Sequence, residues 1–451
     1  MRILQLTPRL SYPPSDGGRV VMMQIAMAMQ GLGAGVRILS LNPRRQHAAL
    51  DAARAALAPI PVDAIDIDTS GPSLRSLHRG TPLLVARFYS RPFARRLRDL
   101  LHEEDFDIVQ IESPFLLPYL PVIRAASRAA VVLRSLNVEF RIWEQMAARA
   151  KSPLRKIIAA TVARSLRQYE IRHLNRCDAI VPITEDDARD FRALGCTRPI
   201  HVLPGGVEVE ENWDGVDAEA YGVDAEADGV DAETDGVDAA MDASGRARAA
   251  CHSERVGRRV GEESPSHVDS RSCALAGFLG SLDYRPNQEA AIWIAEELQP
   301  LLKAEVHIAG SNAPEWLRNR LTDSEVAFDG KVPDAAAFIR SMCVMIAPLL
   351  SGGGMRIKIL EAMACGRPVV STTLGAAGID VRHGENILLA DDPGSFAGAI
   401  AELLRDHARA AAIGEAGRRL VASRYSTSVL ASGLLAFYEE LTKSGSVHGG
   451  R

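Results

Sequence analysis

Short apolar runs alternate along the chain with longer stretches whose apolar residues recur every three to four positions. An unbroken apolar run suits a parallel strand buried between two helix layers, and the longer period marks one face of a helix. In the first half, residues 2–7, 36–41, 107–111, 131–133, 177–184 and 200–203 read as strands. In the second half, 274–282, 305–310, 326–332, 343–350, 368–371 and 384–389 do the same. Helices are predicted at 19–31, 153–176, 185–194, 288–302, 355–365, 393–404, 408–419 and 429–441. Strand, loop, helix and strand follow one another so regularly that the fold class is α/β, with doubly wound parallel sheets.

The candidate chemistry is densest in residues 351–379, SGGGMRIKILEAMACGRPVVSTTLGAAGI. Gly352, Gly353 and Gly354 lie between a predicted strand and a predicted helix. Such a loop lets backbone come close to a ligand, and the helix after it offers unpaired N–H groups and a positive dipole end, which favour phosphate. Lys358 and Glu361 are three residues apart and share a helix face. Two readings are open: Lys358 adds charge at a diphosphate while Glu361 accepts from the two hydroxyls of a ribose, or the two side chains simply pair on a solvated face.

A second glycine pair, Gly17 and Gly18, closes a proline-rich loop over 8–18 and precedes the first helix. It reads as a ligand loop or as a plain tight turn, and the GxGxxG dinucleotide fingerprint is absent. Glu112, Asn137 and Glu139 follow predicted strands, where open α/β sheets bind ligands, which makes them the candidate catalytic residues of the first half.

The chain has 451 residues, room for two or three domains, with 47% hydrophobic and 24% charged residues as in ordinary globular enzymes. No apolar run reaches the roughly 18–20 residues of a membrane span, and MRILQLTP reads as a first strand rather than a signal peptide. The six cysteines form no CxxC or metal spacing, which suits a reducing compartment with Cys343 and Cys365 as core fillers. An aromatic content of 5% argues against a nucleic-acid stacking surface. Residues 74–101 carry seven arginines among Phe88, Tyr89, Phe93 and Leu97, a helix that either rests on an anionic membrane or is an ordinary solvated face.

Residues 214–242 interrupt this organisation with four near-identical heptads, GVDAEAY, GVDAEAD, GVDAETD and GVDAAMD, holding eleven acids and no base. With the Arg/Ser/Glu-rich stretch after them they cannot bury a core, so 212–272 is expected to be a disordered insertion. The heptads lack the dense acidic spacing of a calcium loop. Fifteen acids against six arginines give residues 214–272 a net charge of −9; the whole chain carries −5, which leaves the remainder at +4.

GGGMRIKILEAMACGRPVVST resembles the donor-nucleotide segment of the family-four (group 1) glycosyltransferases, in the branch with a GGG-x-R-x-K-x-L-E string. RSLNVE at 134–139, PGGV at 204–207 and GSLDYRPN at 280–287 are similar to further family segments. The resemblance implies a GT-B fold: an acceptor-side domain at 1–205 completed by a helix at 429–443, and a nucleotide-sugar domain at 273–428. It implies a retaining, metal-independent hexosyltransferase with no cofactor, whose substrate is a nucleotide diphosphate sugar. Donor contacts would come from Glu361, Lys358, Arg356, Gly352, Gly353, Gly354, Gly280, Ser281, Gly17 and Gly18. The acceptor would be lipid-linked or a growing polysaccharide, met in the cytoplasm or at the cytoplasmic face of the membrane, in cell-surface polysaccharide or glycoconjugate synthesis. This chain departs from the family at Gly353, where a glutamate contacts the sugar, at Leu136, where a histidine stands, and at Ser281, where an arginine grips the diphosphate. Arg356 and Lys358, with Arg285, are expected to replace the missing cations. A sugar-nucleotide epimerase and a non-catalytic sugar-nucleotide-binding scaffold are the alternatives.

Overall fold

The computed structural model describes residues 1–14, 17–70, 81–135, 138–150, 152–209, 275–352 and 354–445. The expected insertion at 212–272, Leu136, Asn137, Gly353 and the first part of the basic stretch lie outside the described residues.

Two six-stranded parallel sheets carry the molecule. The first takes β1 (Arg2–Thr7), β2 (Gly35–Pro43), β3 (Val62–Ile67), β4 (Ile108–Ile111), β5 (Ala130–Ser135) and β6 (Ala179–Pro182) in the order β3-β2-β1-β4-β5-β6. The second takes β7 (Leu275–Leu279), β8 (Glu305–Ala309), β9 (Ala327–Gly330), β10 (Val344–Ala347), β11 (Val369–Ser371) and β12 (Leu388–Leu389) in the order β12-β11-β10-β7-β8-β9. Read from the other edge, the second order repeats the first, and both are the doubly wound order whose direction reverses beside the first strand.

The helices of the first half are α1 (Gly17–Gly31), α2 (Leu50–Ala56), α3 (Leu83–Ala86), α4 (Arg91–Glu103), α5 (Leu120–Ala126), α6 (Glu139–Arg149), α7 (Pro153–Leu174) and α8 (Glu185–Ala193). Those of the second are α9 (Arg285–Trp293), α10 (Glu315–Thr322), α11 (Ala335–Ser341), α12 (Ile357–Ala364), α13 (Pro393–Arg405), α14 (His407–Arg424) and α15 (Thr427–Gly445). One face of the first sheet packs Leu4, Leu6, Val109 and Leu133 against α4, α5 and α7; the other packs Ile3, Ile38 and Val132 against α1 and α15. Thus the last helix returns to the first sheet, burying Ala431, Leu434 and Tyr438 there. Near 207 and 426 the chain crosses between the sheets twice, and the crossings pair: Val207 N–H donates to Tyr425 O at 3.0 Å and Thr427 N–H to Val207 O at 3.1 Å.

Several local expectations change. Residues 200–203 run parallel to β6 without forming a regular strand: Ile200 bridges Ile180, His201 N–H donates to Ile180 O at 3.1 Å and Leu203 N–H to Pro182 O at 2.8 Å. The basic stretch is two helices rather than one within its described part: Ser90 breaks it and caps α4, accepting from Phe93 N–H at 3.4 Å. Arg96 of α4 is spent on Asp63 and Glu103. Glu139 opens the unforeseen α6, since β5 already ends at Ser135. Cys343 is disulfide-bonded rather than a plain core filler, while Cys177 and Cys196 carry free thiols.

Candidate functional site

In a doubly wound sheet, the loops leaving the two strands that flank the reversal diverge to opposite faces and open a crevice. In the second sheet those strands are β7 and β10. β7 leads into Gly280, Ser281 and the start of α9; β10 leads into Ser351, the glycine loop and α12. The candidate chemistry of 351–361 therefore falls where the topology makes a binding crevice.

Lys358 lies in the first turn of α12. Its Nζ donates to Asn287 Oδ1 at 2.9 Å and stands 4.2 Å from the centroid of the Phe278 ring. A Cβ at Gly280 would fall 2.6 Å from that Nζ and 2.9 Å from Asn287 Nδ2, so the absent side chain is the space that the ammonium occupies. Burial, and then the nearby Arg356 charge, push the Lys358 ammonium down to about 7, against the opposing pull of Glu361. Glu361 is one turn further on and half-buried. Burial raises its pKa and Lys358 lowers it, yet no ion pair joins the two and no group among the described residues donates to the Glu361 carboxylate. The reading in which they merely pair with each other is not what α12 does.

The glycine loop is longer than expected, and the helix starts at Ile357 rather than at Met355. Gly352 and Gly354 hold φ of +97° and +79°, which side-chain-bearing residues rarely adopt, and Arg356 is extended as the N-cap. Arg356 is only 8% exposed and turns back under the loop: its Nη2 donates to Ser351 O at 3.2 Å beside the Tyr284 hydroxyl. It supports the loop from within. Ser281 donates to Asp283 Oδ1 at 2.6 Å, and Arg285 is exposed and bound to Glu289 at 2.7 Å. Neither reaches Lys358. Gly17 and Gly18 form the first turn of α1. A Cβ at Gly205 would strike Ile357 at the start of α12 and touch Val21 of α1, which brings the beginnings of these two helices together at the crossing.

A cleft of about 1530 Å³ opens in front of the glycine loop. Tyr284, Pro286, Ser351, Gly352, Gly354 and Gly378 line one wall; α6, α7 and α8 supply the other, with Arg141, Met146, Arg155, Ile158 and Asp190. Lys358 and Glu361 are outside that lining.

Glu112 does not line it either. Its carboxylate is buried in the first sheet, accepting from Gln5 Nε2 at 2.6 Å, from Arg134 Nη1 at 3.0 Å and from Gln110. Gln110 in turn accepts from Tyr438 Oη of α15 at 2.7 Å. With all three donors coming from the protein, Glu112 is a framework residue, and its expected place among catalytic groups gives way. Glu139 is half-buried in the first turn of α6, and burial pushes its carboxyl up to about 7. Beside it lies Glu170 of α7, which the sequence reading passed over. Burial, then the neighbouring Glu139, raise Glu170 to about 8, and the N–H groups of Phe140 and Glu139 pull it the other way without well-formed hydrogen bonds. A signal was present: Glu170 falls in register with Ala159, Ala163, Leu166 and Leu174 on the buried stripe of α7. Asn287 was also missed, hidden in a segment that reads as a turn.

Residues 15–211 match a family model described as Glycosyltransferase Family 4, and residues 274–406 match one described as Glycosyl transferases group 1. Each half of the chain thus matches a glycosyltransferase model, and the fold is GT-B. Among curated relatives of this GT-B chain, a phosphatidyl-myo-inositol mannosyltransferase of Mycobacterium leprae is 37% identical over 145 residues, which is 31% of this chain and 38% of that protein. An uncharacterized 44.6 kDa protein in the cps region of Klebsiella pneumoniae is 30% identical over 158 residues, 30% of this chain and 40% of that one. The chain thus aligns with about two-fifths of the length of these relatives. Among solved structures, sucrose-phosphate synthase from Thermosynechococcus elongatus superposes with a TM-score of 0.62 at 14% identity, covering 98% of this chain and 100% of that one. Anabaena HepE in complex with UDP gives 0.60 at 14% identity with the same coverage. At such identities the likeness is one of fold.

Proposed function

We propose that this GT-B protein transfers a sugar from a nucleotide diphosphate sugar to an acceptor hydroxyl, with retained anomeric configuration and without a metal. The observation that carries the reading is the pair on α12: a half-buried Glu361 carboxylate with no donor among the described residues, one turn beyond an ammonium held in the notch of Gly280. A carboxylate accepts from two neighbouring hydroxyls, as a ribose presents them, and an ammonium with spare N–H bonds suits a diphosphate. In the reaction the bond from the anomeric carbon to the diphosphate oxygen breaks, the acceptor oxygen takes its place and passes its proton to the leaving nucleoside diphosphate, which keeps the electron pair of the broken bond. Lys358 and the N–H groups at the start of α12 stabilise that developing charge. Glu139, raised toward neutrality at the edge of α6, is the candidate to hold a proton near the acceptor side.

HepE was crystallised with UDP, and the Mycobacterium leprae relative is named a mannosyltransferase of phosphatidyl-myo-inositol, which favour a nucleotide-sugar donor and a lipid-linked acceptor. The first turns of α7 expose Leu154 (66%), Ile157 (64%) and Ile158 (52%) beside Arg155 and Lys156, an apolar tip flanked by cations that suits peripheral contact with an anionic membrane at the cytoplasmic face. No helix among the described residues is long and apolar enough to cross a membrane. The cps-region relative points to cell-surface polysaccharide assembly.

The test is thermal stability against a panel of UDP-, GDP- and ADP-sugars, with Glu361→Ala as control. Binding at 100 times Kd stabilises by about 2.7 kcal/mol, a shift of several degrees. A shift for one nucleotide that vanishes in Glu361→Ala is expected; no shift with any of them overturns the reading.

A further inference from the structure

Asn287 is 7% exposed and bridges two parts of the site. Its Oδ1 accepts from Lys358 Nζ at 2.9 Å, and its Nδ2 donates to Ser281 O at 2.8 Å. The side chain is thus anchored at one end to the loop after β7 and at the other to the ammonium on α12. Gly280 keeps the intervening space clear, and Phe278 faces the ammonium from below the loop. An ammonium has three N–H bonds, and Asn287 takes one. The Phe278 ring face meets the ammonium on another side, and no other oxygen or nitrogen acceptor for it is found among the described residues, so hydrogen-bonding capacity is left over in a place where water is partly excluded.

We infer that Asn287 is a positioning residue for the anionic part of the donor: it fixes Lys358 in the Gly280 notch so that the remaining hydrogen-bonding capacity of the ammonium serves a diphosphate. This rests on the assignment of the crevice to a nucleotide diphosphate sugar, and adds to it a residue without charge and without contact to the ligand. The amide is suited to the task because it accepts from the lysine without neutralising it. A carboxylate at the same place would form an ion pair and satisfy the charge internally.

The arrangement has a protonic consequence. The charged groups near Lys358 are Arg356, which disfavours its protonation, and Glu361, which favours it; Asn287 and Phe278, from the elements packed against it, carry no charge. With the site empty, burial holds the ammonium down to about 7. A bound diphosphate restores the charge, so binding above neutral pH takes up a proton on Lys358.

Isothermal titration of the full chain with UDP, GDP and ADP at pH 8, in two buffers of different ionisation enthalpy, reads affinity and proton uptake together; the matching nucleosides report the part of binding that needs no phosphate. Wild type is expected to take up close to one proton with the preferred diphosphate and none with its nucleoside. Asn287→Leu is expected to weaken the diphosphate about 10- to 100-fold, the scale of one hydrogen bond to a charged group, and to leave the nucleoside unchanged. Asn287→Asp, which keeps the shape should the leucine variant not fold, is expected to weaken the diphosphate as well and to abolish proton uptake, because Lys358 is then charged beforehand. Asn287 variants that bind the diphosphate as wild type does, while Lys358→Ala binds it weakly, would overturn the role of Asn287 alone. Lys358→Ala and Glu361→Ala both binding as wild type would overturn the donor-site reading beneath it.

Discussion

Replacing Glu112 by alanine separates a framework role from a catalytic one. The Glu112 and Arg134 side chains are 0% and 1% exposed and their charged atoms are 3.0 Å apart. Removing one member of such a pair leaves the other charge buried and uncompensated, at about 3–5 kcal/mol. The guanidinium starts from a deficit, since its Nε already lacks a partner. Gln5 partly escapes, because its Nε2 also reaches Met22 O at 3.2 Å. The expected loss is therefore set by Arg134, and it is a large share of the roughly 5–15 kcal/mol that holds a domain together. Urea unfolding followed by circular dichroism is the assay. Glu112→Ala should lower the midpoint by the equivalent of about 3–5 kcal/mol, and Glu112→Ala with Arg134→Met should recover most of it, because no charge is then stranded. A single variant within about 0.5 kcal/mol of wild type, the scale of an exposed pair, would refute the argument. If that stable variant also lost sugar transfer, Glu112 would belong to the chemistry after all.

Gly280→Ala places a methyl group 2.6 Å from Lys358 Nζ, the free end of a flexible chain, so the lysine should move while the fold survives. Unfolding midpoints should stay within about 1 kcal/mol of wild type while nucleoside diphosphate affinity falls about tenfold or more; unchanged affinity would remove Gly280 from the site. Glu170 predicts a pH dependence. Its folded pKa, about 8, lies above the ordinary carboxylate value, so the folded state holds the proton more tightly. The stabilisation is complete below the unfolded pKa and is lost as pH rises toward 8, by at most about 1.4 kcal/mol per pH unit. Glu170→Gln should make the decline in urea midpoints from pH 5 to 8 shallower, leaving the part due to Glu139, and parallel profiles would contradict it.

Most strands of the two sheets were legible because a parallel strand buried on both faces must be apolar throughout, and VMIAP or IVQI announces that locally; the edge strand β3, VDAIDI, was not, because it is only partly buried and carries two aspartates. The crevice was legible for a related reason: glycines between a strand and a helix mark where backbone must turn tightly or make room, and Gly280 and Gly352 both do so. Helical spacing puts Lys358 and Glu361 on one face of α12 but leaves open whether they pair or bind, and it was the resemblance that favoured binding. Sequence period says nothing about what a polar side chain meets across space. Glu112 looks like a site residue at a strand end, and only the stacking of β1, β4 and β5, closed by Tyr438 from 328 residues beyond Gln110, makes it part of the core. Asn287 reads as turn chemistry until the reversal between β7 and β10 sets it against Lys358. The strands and helices are dictated by burial pattern, a property each segment carries in its own residues. The partners of buried charges are chosen by packing between segments far apart in the chain, so they were settled by the tertiary structure.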